Sequence, residues 1–141
     1  MPHMTAAGPA TTRYGFLLVP EYSMMAFTAA VDQIRMANRL SGKKLYEWVV
    51  ISEDGAPVCA SNELSVSAVA MRESAGPEGE LDAVFVCGGI NIETKASKPI
   101  TAWLREQASR RVLLGRSAPA VLCWRKPGCS RAIAVPFTGK T

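Results

Sequence analysis

The sequence has 141 residues, 48% of them hydrophobic, and a formal net charge of +4, enough chain for one modest domain. The charge is unevenly placed: all 12 acidic residues precede Gly115, where they face 11 Lys and Arg, while the last 26 residues carry five bases and no acid. Those five, Arg116, Arg125, Lys126, Arg131 and Lys140, are scattered among Pro, Gly and Ala, which argues against a nucleic-acid footprint on this chain, and no apolar run of membrane-spanning length occurs, so no membrane partner is expected.

Residues 1–13 (MPHMTAAGPATTR) lack the apolar core of a signal peptide and read as a disordered N-terminus that includes His3. A cytoplasmic protein is expected. Tyr14 to Pro20 (YGFLLVP) is a continuous apolar run of strand length, as in a parallel sheet covered on both faces. A loop at Glu21-Tyr22-Ser23 follows, with Ser23 as helix N-cap. Met24, Phe27, Val31, Ile34 and Leu40 then recur at helical spacing, and Ser41-Gly42 stops the helix. Met24, Met25 and Met36 are read as core rather than as a ligand-facing stripe.

Tyr46 to Ser52 is a second strand, closed by the turn residues 53–57. Val58 to Ser61 and Leu64 to Ser67 form a weak hairpin signal across Asn62-Glu63. After a loop at residues 75–79, Asp82 to Cys87 is another buried strand, ending abruptly in Gly88-Gly89. Ser97 to Arg110 reads as a capped helix with Pro99 in its first turn and Ile100, Trp103, Leu104 and Ala108 inward. Residues 112–115 begin one more strand. Strands alternating with helices predict an α/β fold with a parallel sheet and right-handed crossovers.

Ligands of such sheets sit beyond the carboxyl ends of the strands, where chain reversals leave a crevice. Pro20-Glu21 after the first strand and Gly88-Gly89-Ile90-Asn91 after the later one fall there, so Pro20, Glu21, Gly88, Gly89, Ile90 and Asn91 are the candidate ligand-binding residues. A Gly-Gly pair lets backbone amides approach a ligand, although it also serves simply to turn the chain tightly. The segment fits neither a dinucleotide fingerprint nor a P-loop, so no phosphate cofactor is implied.

Catalysis is not expected. The only histidine is His3, so Cys or Ser lacks a base, and Cys87 reads as a small packed hydrophobe. Cys59, Cys87, Cys123 and Cys129 are separated by 27, 35 and 5 residues, which matches neither a zinc site nor a secreted disulfide framework.

Residues 13–115, through the YSMMAF segment, the ANRLSG helix end, SEDG and VCGG, resemble the N-terminal ThiJ/PfpI-like, class I glutamine-amidotransferase-like domain of AraC-family transcriptional regulators. The resemblance is to the group controlling carnitine, glycine betaine and arginine catabolism. It implies a flavodoxin-like sandwich that senses a small metabolite, a quaternary amine or amino acid, can self-associate, and contacts DNA only through a C-terminal helix-turn-helix domain. The alternative is a ThiJ/PfpI-like hydrolase or hydratase whose cysteine nucleophile is lost here; a third reading is a remnant or interaction module. Two departures stand out. Glu21 replaces the glycine such regulators carry after the proline, and residues 116–141 do not match the family. Codons for residues 115–140 can be chosen so that the frame displaced by two bases spells the family-like ALCTGSSVLAEAGLLKGYRCTIHWE. The tail is therefore expected to be a disordered frameshift product, and the domain an incomplete sandwich prone to aggregation.

Overall fold

A computed structural model of the chain describes residues 10–75 and 79–116. Arg116, the first residue of the predicted tail, is instead the last residue of a strand and pairs with Val86; residues 117–141, with Cys123 and Cys129, and His3 lie outside the described residues.

The first strand, β1, spans Thr12–Leu18. It starts earlier than the apolar run suggests, inside the stretch expected to be disordered, because polar partners extend it. The Thr12 N–H donates to the Leu45 carbonyl at 2.9 Å, and the Arg13 N–H to an Asp82 carboxylate oxygen at 2.7 Å. It also ends before Pro20, which has no N–H to continue the ladder, although the Val19 N–H still reaches the Cys87 carbonyl at 2.9 Å.

Helix α1, Met24–Ser41, is bounded as its sequence dictates. The Ser23 hydroxyl accepts from the Ala26 N–H, and Gly42 closes the helix at φ 66°, a left-handed conformation in which glycine has no Cβ penalty. Strand β2 is Tyr46–Ser52, and β3 (Val58–Cys59) and β4 (Ser65–Val66) form the expected antiparallel hairpin, pairing Val58 with Val66. Two elements escaped the sequence reading. Strand β5, Val69–Ala70, pairs parallel with β2, followed by a 3-10 turn at Met71–Glu73, and α2, Ile92–Lys95, is one short turn. Strand β6 is Ala83–Cys87, α3 is Lys98–Ser109 with Ser97 as N-cap and proline in the first turn, and β7 is Leu113–Arg116.

The main sheet has the order β5-β2-β1-β6-β7 with every pair parallel. Alternation along the strands sends Leu17, Val19, Ile51, Val84 and Val86 to one face, where Ile100 and Leu104 of α3 cover them. Burying each such side chain contributes about 1.5–3 kcal/mol. Trp103 and Ala108 pack on the rim of that cluster. The opposite face carries Phe16, Leu18 and Cys87 under Phe27 of α1. Aromatic rings run across it in one series: Tyr46 stacks on Tyr14, Tyr14 meets Phe85 edge-on, Phe85 stacks on Phe16, and Phe27 bridges Phe16 to Tyr22. This face is less well covered, since Tyr14, Trp48, Val50 and Phe85 are half-buried and Leu113 is exposed.

The methionines require a correction. Met24 packs partly against the α1-side cluster, but Met25 is 80% exposed, Met36 38% and Leu40 81%. These three lie on the helix face opposite Phe27 and Ile34, so the inward stripe ends at Ile34 and a second apolar stripe faces out.

Candidate functional site

The strand order fixes where a crevice opens. From β1 the chain moves to β2 and β5 on one side, then returns across the sheet to β6 and β7 on the other, so the reversal lies between β1 and β6. Both loops at that point leave carboxyl ends of strands. An open cleft of about 730 Å³ lies there, lined by Pro20, Glu21, Gly89, Ile90 and Asn91 from the two loops and by Cys59, Ala60, Ser61 and Glu63 from the β3–β4 hairpin, with Ser23.

Five of the six residues singled out in the sequence thus line one cleft. Gly88 does not; it is buried, and a Cβ there would collide with the Ile92 side chain. Gly89 is required by its surroundings, because a Cβ would overlap the Glu21 carbonyl oxygen. The Gly-Gly pair is therefore a packing device that lets the two loops touch. The hairpin residues were missed because nothing local in Ser61-Asn62-Glu63 signals that the turn folds back over a distant loop; the one available clue was a turn placed just after the carboxyl end of β2.

Backbone hydrogen bonds hold the cleft. The Glu21 N–H donates to the Cys59 carbonyl at 2.9 Å, the Ser61 N–H to the Tyr22 carbonyl at 3.0 Å and the Ser23 N–H to the Gly88 carbonyl at 3.3 Å. Glu21 sits at φ 66°, in the left-handed region that costs an L-residue about 1–2 kcal/mol relative to glycine. A half-exposed Glu21 carboxylate lies 3.6 Å from the Lys95 ammonium, a solvent-screened pair that contributes little to stability. The charged residues lining the cleft itself, Glu21 and Glu63, are both acidic.

Beneath the cleft Tyr22 is fully buried, and its hydroxyl has no hydrogen-bond partner among the described residues. Burial pushes its phenol above the ordinary value of 10.0, and the Cys87 and Cys59 thiols add to the effect. Cys87 is itself fully buried, packed as a small hydrophobe. A second hollow of about 630 Å³ lies on the α3 side, lined by residues including Glu53, Trp103, Glu106 and Gln107; none of the sequence-predicted residues reaches it. Among the described residues no cluster of His, Cys, Asp or Glu is placed to hold a metal ion, and no helix is long and apolar enough to cross a membrane.

No family model matches the chain. It is similar to the HTH-type transcriptional regulator GbdR of Pseudomonas aeruginosa, 37% identical over 101 residues, which is 72% of this chain and 27% of GbdR. The chain thus spans about a quarter of the length of that relative. Among solved structures, an AraC family transcriptional regulator from Pseudomonas putida superposes with a TM-score of 0.63 at 31% identity, covering 74% of this chain and 55% of that one. Drosophila melanogaster DJ-1beta matches with a TM-score of 0.60 at 21% identity over 76% of this chain and 55% of its own, a likeness of fold alone.

Proposed function

We propose that the residues matched by the N-terminal part of AraC-family transcriptional regulators, with the DJ-1/ThiJ/PfpI fold, form a metabolite-sensing domain whose ligand enters the cleft between β1 and β6. The observation that carries this reading is the cleft itself. It lies at the reversal point of a parallel sheet, has the volume of a small-molecule site, and presents two carboxylates and no base among its lining residues. The ligand class is a small cation or zwitterion, a quaternary amine or an amino acid, with Glu21 and Glu63 facing its positive group and the apolar Ile90 and Pro20 its carbon skeleton. Glu21 stands where the family resemblance implies a glycine, and it gives this cleft a carboxylate that a glycine would not supply.

The domain acts by binding, without chemistry on the ligand. Contact with DNA belongs to a region beyond the homologous part, and the location of action is the cytoplasm. Residues 117–141 are proposed not to belong to the sensing domain. Isothermal titration of the full chain with glycine betaine, carnitine and arginine, against acetate as an anionic control, tests the reading. Binding of one cation or zwitterion, weakened in Glu21→Gln and Glu63→Gln, is expected. Heat with acetate alone, or an affinity indifferent to both substitutions, would overturn it.

A further inference from the structure

We propose that the hollow on the α3 side is a binding site separate from the β1–β6 cleft, for a nucleobase or its nucleoside without phosphate, held by the side chain of Gln107. The hollow measures about 630 Å³, within the range of small-molecule sites. Its buried wall includes Met71, Leu81 and Gln107, while the charged residues stand exposed around its mouth. Only 9% exposed, Gln107 makes no side-chain hydrogen bond among the described residues, whereas the buried Ser74 hydroxyl donates to the Met71 carbonyl at 2.7 Å. A buried polar group without a partner is destabilising and calls for an explanation. The Gln107 amide is not sealed in as the Tyr22 hydroxyl is; it opens on the hollow. The residue is also fixed in place. Its backbone carbonyl accepts from the Arg110 and Val112 N–H groups, both at 3.1 Å, and Trp103 precedes it by one helical turn, half-buried on the same face of α3.

The occupant follows from what these groups leave unmet. A primary amide offers an acceptor and donors side by side in one plane, and the complement is an edge with a donor beside an acceptor, as on adenine and cytosine. An ammonium ion would pair with the amide oxygen and leave its NH2 unmet. A sugar would turn hydroxyls toward Met71, Leu81 and Pro99, which return no hydrogen bond. A flat heterocycle instead brings one polar edge to Gln107 and lays its faces on those side chains and on the Trp103 indole. Phosphate is disfavoured at the mouth, where Glu53, Asp54, Glu80 and Glu106 outnumber Arg72 and Arg110. Arg110 is moreover engaged by Glu106 at 2.6 Å and by Glu80 at 3.7 Å.

Isothermal titration of the full chain with adenosine and cytidine tests this. Saturable binding of at least one is expected, with its monophosphate, AMP or CMP, weaker by about tenfold. Gln107→Met keeps the volume but removes donor and acceptor, so it should weaken binding by at least about tenfold. The same variant should unfold no more easily than the parent, since no hydrogen bond within the protein is lost. Independently of any variant, the side-chain NH2 signals of Gln107 should shift in NMR spectra as the nucleoside saturates the parent chain. An excess of glycine betaine, which belongs to the β1–β6 cleft, should not compete. Absence of binding by both nucleosides would overturn the proposal, as would glucose binding equally well, equal affinity for the monophosphate, unmoved Gln107 signals, competition by glycine betaine, or a folded Gln107→Met chain that binds like the parent.

Discussion

Gly89→Ala tests the geometry of the cleft most sharply. Gly89 owes its identity to space, since its φ is not in the left-handed region and an added Cβ meets the backbone carbonyl of Glu21. A carbonyl in a loop fixed at both ends cannot rotate away as a side chain would. Relief requires the Pro20–Ser23 loop to move, which stretches the Glu21 N–H bond to Cys59 and the Ser23 N–H bond to Gly88. Overpacking of this kind costs about 1–3 kcal/mol, and each weakened hydrogen bond about 0.5–1.5 kcal/mol. A loss of about 2–4 kcal/mol is expected, a large part of the 5–15 kcal/mol by which a domain is stable. Urea unfolding measures it as a fall in midpoint at constant slope. Gly42→Ala is the control: nothing lies within 4 Å of its added Cβ, but φ is +66°, so it should lose only about 1 kcal/mol. Equal effects of the two substitutions, or an unchanged midpoint and unchanged amide signals for Glu21 and Tyr22 in Gly89→Ala, would refute the claim that the two loops are in contact.

Further outcomes follow from single residues. Tyr22→Phe removes a buried hydroxyl that has no partner among the described residues while keeping the ring against Phe27, so stability should be unchanged or rise by up to about 1–3 kcal/mol; a clear loss would mean the hydroxyl is satisfied. Burial raises the Tyr22 and Tyr14 phenols above 10.0. An acid with a raised folded pKa binds its proton more tightly when folded, so this stability is present below the unfolded value and is lost as pH rises through the folded one. Unfolding midpoints should therefore fall above pH 10.0, less steeply in Tyr22→Phe. Glu21→Gly relieves the positive-φ cost of about 1–2 kcal/mol against glycine's own entropic cost of about 0.5–1 kcal/mol, so it should be at least as stable as the parent yet bind cations less tightly in calorimetry. Sequencing the coding DNA should show codons that spell the family-like string in the frame displaced by two bases after about Gly115; incompatible codons would remove that reading of the tail.

The strands and both long helices were legible because their signals are local. Buried runs such as FLLV and AVFVC need no partner to be recognised, and Ser23, Gly42, Ser97 and Pro99 mark helix ends by their own hydrogen-bonding and φ preferences. Strand β5 was not legible, since two residues show no alternation and its existence depends on the edge of β2. The outward stripe of α1 was misread for a related reason. Helical spacing cannot say which of two apolar lines faces the sheet, and it is Met24, Phe27, Ala30, Val31 and Ile34 that join the cluster on this face. At the cleft, the two loops could be placed from the general behaviour of parallel sheets, but the hairpin that walls it could not. Its position rests on the Glu21–Cys59 and Ser61–Tyr22 hydrogen bonds, between residues some 38 apart in sequence.

The sensing-domain account is tested most directly by an amide-resolved NMR titration of the full chain with glycine betaine, carnitine and arginine. It predicts saturable shifts for one of them, concentrated at Glu21–Ser23, Cys59–Glu63 and Gly89–Asn91. Shifts centred on Trp103 and Gln107, or none with any of the three ligands, would contradict it.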